Sequence, residues 1–119
     1  MIKISVDEAY AFDYYTILCL KKKNGLDVDI IIKIIEEDLI NQIGVDKFNL
    51  IVNSEEYSNL YNANEKTFLA VDKAKTDDVS ASYVDKCNYE RMTHKQFLQS
   101  KFFFKKITEV KLGYEKLKK

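Results

Sequence analysis

The hydrophobic and polar positions of this chain follow the 3.6-residue period of α-helices, and the longest such segment spans Asp78 to Lys106. At about 100° per residue, one side of this segment is mainly apolar and has Arg91 at its centre. That side contains Ser80, Val84, Cys87, Arg91, Leu98 and Phe102, with His94 and Lys95 at its edges. Because an arginine keeps its charge when it is buried, we expect Arg91 to contact a carboxylate or a bound anion.

Shorter helices are predicted on either side of this one from apolar periodicity and from residues that start or stop helices. They start at Ser5, at Asp27 or Asp29, at Asp46 and at Ser54, and they end near Lys23, Gly44, Asn53 and Lys75; a last segment spans Glu109 to about Leu117. Serine and aspartate side chains accept hydrogen bonds from a first helical turn, and glycine permits the turn that ends a helix. No segment has a convincing strand pattern. The predicted fold class is therefore all-α, a compact single-domain bundle of five to six helices over residues 1–119, organised on the long helix at about 78–106.

Three of the predicted apolar stripes are interrupted by a polar residue: Asp13 in the first helix, Asn64 in the fourth and Arg91 in the long helix. The core positions that the period predicts are Val6, Ala9, Tyr10, Ile17 and Leu20 in the first helix, Val28, Ile31, Ile32, Ile35, Leu39 and Ile43 in the second, and Tyr57, Leu60, Tyr61, Phe68 and Val71 in the fourth. Because such stripes face a common core, we expect Asp13, Asn64 and Arg91 to lie close together.

Two interpretations of this polar cluster are open. In the first, an Asp–Arg pair and an amide form a closed network that fixes the register of the helices. In the second, an open pocket lets Arg91, assisted by Asn88, His94 or Lys95, bind an anionic ligand such as a phosphate or a sugar phosphate. A third arrangement, in which one or more of the three residues lies on the surface, would leave no site.

The second helix is predicted to have apolar residues on two sides. Ile30 and Ile34 fall on the side opposite the core stripe. Since exposed isoleucines are unfavourable in water, we expect another protein or a second subunit to cover them.

The composition predicts a soluble globular protein. A chain of 119 residues with 46% hydrophobic residues, including eight tyrosines and seven phenylalanines, can build one core without disulfides or metals. No apolar run approaches the length of a membrane span, and the N-terminal residues lack the hydrophobic region of a signal peptide. We therefore predict a cytoplasmic location, and the richness in lysine, asparagine, isoleucine and tyrosine suggests a bacterial or phage origin.

Residues for metal, cofactor or nucleophile chemistry are sparse. The two cysteines, Cys19 and Cys87, are far apart and are predicted to be free thiols, and the chain has one histidine and three glycines. No phosphate-binding loop or nucleophile elbow occurs. Carboxylates that a magnesium-dependent helical pyrophosphohydrolase would need can be assigned to Glu36, Glu37, Glu65 and Asp72, but their spacing does not require it. We predict no metal and no cofactor.

Charge is unevenly distributed although the net charge is zero. Residues 1–85 have nine lysines and 16 acidic residues, a net charge of −7, whereas residues 86–119 have ten basic and three acidic residues, a net charge of +7. The basic third can pack against the acidic part of the same molecule. Alternatively, it can bind a polyanion such as nucleic acid, with tyrosines available to stack on bases: Tyr83, Tyr89, Tyr10, Tyr14 and Tyr15.

Several short segments resemble a family of small, uncharacterised helical proteins of marine bacteria and their phages that occur near polysaccharide-synthesis genes. The residues that carry the resemblance are Ile2 to Val6, Asp13, Thr16 to Leu18, Asn64, Asp72, Asn88, Arg91, Lys95, Glu109, Lys111 and Tyr114. Where such relatives have a tryptophan in the fourth helix, this chain has Phe68. The resemblance implies a helical fold and no established activity.

These observations favour a non-catalytic accessory or interaction protein that binds a protein partner or a second copy of itself, although no residue pattern excludes catalysis. The first alternative is a domain that binds a small anion or a nucleotide sugar at Arg91. The second is a polyanion-binding protein that uses its basic C-terminal third. We expect no membrane association.

Overall fold

The computed structural model describes residues 1–76 and 79–103, and this part of the chain forms five α-helices. The helices are α1 (Glu8–Lys23), α2 (Asp29–Ile43), α3 (Val45–Val52), α4 (Glu55–Ala74) and α5 (Ala81–Phe102). Strands do not occur within these residues. The predicted all-α bundle is confirmed.

Three of the predicted helix ends use the residues expected from the sequence. At the start of α4 the Ser54 hydroxyl accepts a hydrogen bond of 3.1 Å from the Tyr57 amide, which satisfies one of the free N–H groups of the first turn. At the end of α1 the chain turns at Gly25, whose φ angle of +88° is one that L-residues rarely adopt. Gly44, which ends α2, also has a positive φ angle, of +89°.

Other predicted starts are displaced. Helix α1 begins after Asp7 instead of at Ser5, because a residue of another helix satisfies its first turn: the Ala9 amide donates to Gln99 Oε1 at 2.8 Å. Helix α2 begins after Val28, and α3 begins directly after Gly44, whose carbonyl accepts from the Phe48 amide. Neither of these two helices has a side-chain cap.

The long helix is shorter than predicted. It begins after Ser80, whose hydroxyl accepts from the Tyr83 amide at 3.2 Å, and it ends at Phe102. Phe103 is extended and buried, with the Lys47 ammonium 4.3 Å from the centre of its ring. Leaving the helix lets this phenylalanine join the core. Residues 77–78 and 104–119, including the predicted cap at Asp78 and the segment from Glu109 to Leu117, lie outside the described residues.

The core is built where α1, α3, α4 and α5 meet. Phe12, Ile51, Leu60 and Leu98, one from each of these helices, are fully buried. The rings of Phe12 and Phe48 stack at 6.2 Å between centroids, and Tyr15 meets Phe48 edge-on at 5.9 Å. These aromatic contacts tie α3 to the side of α1.

Helices α4 and α5 form an antiparallel pair. The Thr67 hydroxyl reaches the Cys87 carbonyl at 3.2 Å, and Glu56, near the start of α4, lies 3.9 Å from Lys101, near the end of α5. The buried residues of α4 are Leu60, Ala63, Asn64, Thr67 and Ala70. Small side chains at three of these positions let the two backbones approach closely.

This close packing overturns part of the stripe predicted for α4. Phe68 and Val71, expected in the core, are 40% and 41% exposed. The period of the sequence placed the largest apolar residues inside, whereas contact with α5 selects the neighbouring small ones. Two predicted core positions of other helices, Val6 and Ile31, are also exposed.

None of the five helices in residues 1–76 and 79–103 combines the length and the apolar character needed to cross a membrane.

A buried tyrosine joins α1 to α2 and has a consequence for stability at alkaline pH. Burial, together with the hydrogen bond of 2.5 Å that its hydroxyl donates to Glu36 Oε1, raises the pKa of Tyr15 well above its usual value. In the unfolded chain this hydroxyl ionises near pH 10, as an ordinary tyrosine does, but in the folded protein it stays protonated. The stabilisation is therefore fully present below that pH and is lost as the pH rises above it.

We predict that Tyr15→Phe makes the free energy of unfolding fall less steeply above pH ~10, by about 1 kcal/mol per pH unit relative to the unchanged protein. Urea unfolding at a series of pH values, followed by circular dichroism, measures both slopes. Because the pKa of the Cys19 thiol depends on its hydrogen bond with Tyr15, both proteins are compared with Cys19 replaced by serine, so that the difference isolates Tyr15. Identical slopes would contradict the raised pKa.

Candidate functional site

A buried carboxylate, Asp13 of α1, is the centre of the polar cluster. The residue is 5% exposed, and Arg91 of α5 binds both of its oxygens. Arg91 Nε donates to Oδ1 at 3.2 Å and Nη2 donates to Oδ2 at 2.7 Å. This two-point contact uses the planar fork of the guanidinium and is the strongest form of an Asp–Arg pair.

The amide of Asn64 brings α4 into the same cluster. Its Nδ2 donates to Asp13 Oδ1 at 2.9 Å and to the Thr16 hydroxyl at 2.5 Å. The Thr16 hydroxyl in turn donates to the Asp13 carbonyl at 2.7 Å. Three helices are thus joined through one carboxylate, and the structure brings together the three residues that interrupt the apolar stripes.

Lys95 also joins the cluster, from the next turn of α5. Only 8% of the residue is exposed, although the sequence placed it at the edge of the stripe. Its ammonium lies 3.9 Å from Asp13 Oδ2 and 4.1 Å from the centre of the Tyr10 ring. The aromatic face and the carboxylate both favour a positive charge at this position.

Asn88 and His94 make other contacts. The amide of Asn88 donates to the Val84 carbonyl of its own helix at 3.3 Å, and the His94 ring packs edge-on against Phe97 at 6.0 Å. His94 precedes Lys95 by one residue and therefore projects about 100° away from it around the helix. Four of the six candidate residues meet: Asp13, Asn64, Arg91 and Lys95.

Two residues of the site were not identified from the sequence. Thr16 follows Asp13 by three residues, a spacing that places both on one side of the helix, but a helical threonine also commonly bonds to its own backbone. Gln99 is 2% exposed and links the far end of α5 to the start of α1, where its Nε2 donates to Glu8 Oε1 at 3.1 Å. Because 91 residues separate Gln99 from Glu8, no local pattern indicates this contact.

An open groove lies beside the cluster, between α1, α4 and α5. We call it the Arg91 groove; it has a volume of about 230 Å³. Its lining consists of Ile17, Asn64, Thr67, Phe68, Val71, Asp72, Lys75 and Arg91. The side chain of Asp13 is 7% exposed, whereas that of Arg91 is 28% exposed. The network is therefore closed around the carboxylate and open on the side of the guanidinium.

The part of the chain that the structure describes contains no cluster of metal ligands. No group of three or more histidine, cysteine, aspartate or glutamate side chains there is placed to hold a metal ion. The carboxylates considered for magnesium have separate contacts, since Glu36 accepts from Tyr15 and Glu65 pairs with Lys23 at 2.6 Å. Both cysteines are free thiols, as predicted.

Comparison of the chain with protein-family models, with curated proteins and with solved structures finds no match. The chemistry that the site itself offers is electrostatic: one carboxylate, two cations, an amide and a hydroxyl are held in fixed positions. Such an arrangement can lock helices together, and on its open side it can bind a ligand.

We predict that Arg91→Ala destabilises the protein by about 2–4 kcal/mol, because it leaves the Asp13 carboxylate buried without its two-point partner. The expected loss lies at the lower end of the usual range for broken buried pairs, because Arg91 is partly exposed and because Lys95 remains near Asp13. Urea unfolding followed by circular dichroism gives the free energy.

The matched control is Lys86→Ala, which removes an exposed cation of the same helix and should change the free energy of unfolding by less than about 0.5 kcal/mol. The double variant D13A/R91A should lose less free energy of unfolding than the sum of the losses of the two single variants. Equal stabilities of Arg91→Ala and Lys86→Ala would show that the pair does not hold the helices.

Proposed function

We propose that this protein is a non-catalytic accessory protein that acts by binding another protein chain, and that three isoleucines of α2 form its contact surface. We call Ile30, Ile31 and Ile34 the isoleucine surface. They are 77%, 44% and 49% exposed, respectively, and this exposure is the observation that carries the proposal.

The three side chains are neighbours on the helix. Residues three and four apart lie on the same side of an α-helix, so Ile34 adjoins both Ile30 and Ile31. The opposite side of α2 contributes Ile32 and Leu39 to the core. Single exposed apolar residues are ordinary in soluble proteins, but a contiguous group of large ones is typical of an interaction surface.

Helix formation does not account for these residues. Isoleucine has a lower helix propensity than alanine, leucine, lysine or glutamate because its branched β-carbon restricts the side chain. Full burial of a fully exposed side chain of this size is worth roughly 1.5–3 kcal/mol, and the gain for Ile31 and Ile34, which are already about half buried, is correspondingly smaller. The three exposed isoleucines therefore contribute little to the stability of the free chain and much to the stability of a complex.

We propose that a second copy of the chain covers the isoleucine surface. A two-fold axis that passes α2 near residue 32 places Ile30 of one copy against Ile34 of the other, so the surface is complementary to itself. Such an arrangement needs no further partner and buries the same residues on both sides.

Two expectations from the sequence belong to this proposal and stay predictions. One is a cytoplasmic location, where two thiols that form no disulfide would remain reduced. The other is the relation to small helical proteins of marine bacteria and phages.

Polyanion binding by the basic C-terminal third receives less support from the contacts of α5. Within its described part, Arg91 and Lys95 lie against Asp13, and Lys101 lies 3.9 Å from Glu56. These cations face carboxylates of the same molecule, in agreement with the alternative that the basic third packs against the acidic part.

We predict that the protein sediments with twice its chain mass of 13.9 kDa and that Ile34→Glu shifts it to the single-chain mass. A glutamate in the contact would bury a charge without a partner, which is strongly unfavourable. Analytical ultracentrifugation over a concentration series measures the mass, and circular dichroism verifies that the helices are retained.

Leu50→Glu is the matched control, because Leu50 is 63% exposed on α3 and lies outside the isoleucine surface. This variant should remain a dimer. A single-chain mass for the unchanged protein at every accessible concentration would refute the second copy as the occupant.

A further inference from the structure

We infer that the Arg91 groove is a binding site for a small organic carboxylate that has an apolar body and a hydroxyl or amino hydrogen-bond donor. The inference is independent of the isoleucine surface, which lies on another helix. It depends on three properties of the lining: an unsatisfied acceptor, two cations and an apolar wall.

The acceptor is the side-chain oxygen of Asn64. The residue is 3% exposed, and its Nδ2 uses both hydrogens, on Asp13 and on Thr16. Within residues 1–76 and 79–103, no donor contacts Oδ1, although every fully buried polar side-chain atom of this part of the protein has a partner. The oxygen is therefore not fully buried, and because Asn64 lines the groove, we place it at the groove wall, where it can accept a hydrogen bond from a ligand.

The cations are Lys75 and Arg91, which both line the groove. Asp13 holds the guanidinium in a fixed position, so little side-chain entropy is lost when a ligand approaches it. In the described part of the chain, no carboxylate lies within 4.0 Å of the Lys75 ammonium. A ligand carboxylate can thus gain a charge partner at Lys75 that no carboxylate of residues 1–76 and 79–103 occupies.

The apolar wall consists of Ile17, Phe68 and Val71. Exposure of Phe68 and Val71, at 40% and 41%, is unfavourable in the free protein and would be reduced by an apolar ligand body. The volume of about 230 Å³ is below the range of roughly 300–1,000 Å³ typical of sites for drug-sized molecules. The ligand is therefore small, about the size of one ring with a short acidic side chain.

The same lining disfavours a phosphate ester. Asp72 adds a negative charge to the groove, which opposes a dianion more strongly than a monoanion. A sugar phosphate would also place many hydroxyls against the apolar wall, where few hydrogen-bond partners are available.

Mandelate is a suitable probe because it combines a phenyl ring, a hydroxyl donor and one carboxylate. Titration of the ¹⁵N-labelled full chain, followed by amide chemical shifts, should give saturable changes at residues 64–75 and near Arg91. The methyl ester of mandelate, which lacks the charge, and lactate, which lacks the ring, should each bind more weakly than mandelate.

Variants then test the assigned contacts. Lys75→Gln should raise the dissociation constant of mandelate by about twofold to fivefold, the range expected for one exposed charge pair. The control is Lys73→Gln, which removes an exposed lysine of the last turn of α4 outside the groove and should leave the dissociation constant unchanged. Phe68→Ala should weaken the binding of mandelate more than the binding of lactate, since only mandelate has the ring.

Three results would overturn the inference. The first is the absence of saturable shifts at the groove, and the second is equal binding of mandelate by the Lys75→Gln and Lys73→Gln variants. The third is inorganic phosphate that binds the groove more tightly than mandelate, which would assign a different ligand class. None of these results bears on the mass of the protein, so the two proposals fail separately.

Discussion

A carboxylate enclosed by three helices is the constraint on which the rest of the bundle depends. Removal of a charge from water costs several kcal/mol unless partners replace the lost hydration. Asp13 finds them on two other helices at once, in the guanidinium of Arg91 and the amide of Asn64. A shift of α5 by one turn would move the guanidinium by about 5.4 Å and leave the carboxylate unsatisfied. Apolar packing drives these helices together, and the polar contacts select the register.

The parts of this cluster that could be predicted from the sequence are those in which a charge or an amide interrupts an apolar stripe. Asp13, Asn64 and Arg91 stand out because each would be unfavourable in a core without a partner. The stripe placed Lys95 at its edge, yet the residue is buried, since its long side chain brings the ammonium over the Tyr10 ring. Which residues fill the remaining hydrogen bonds depends on contacts between distant parts of the chain.

The side-chain period predicts which positions can face inward, but it does not determine which of two adjacent positions packs more closely. In α4 the small residues Ala63, Thr67 and Ala70 face the neighbouring helices, and Phe68 and Val71 remain at the surface. A close approach of two helices thus excludes large side chains from their contact. The exposed phenylalanine and valine become one wall of a groove whose floor is polar.

The hydrogen bond from the Ala9 amide to Gln99 joins positions 90 residues apart. During synthesis, α1 leaves the ribosome before α5, the helix that supplies the group completing the first turn of α1. Until then the first turn has water in place of its cap, and a short helix without tertiary contacts is marginal. Nascent chains that end before α5 are therefore expected to keep a frayed first turn in α1, which becomes fully ordered only after α5 has been translated.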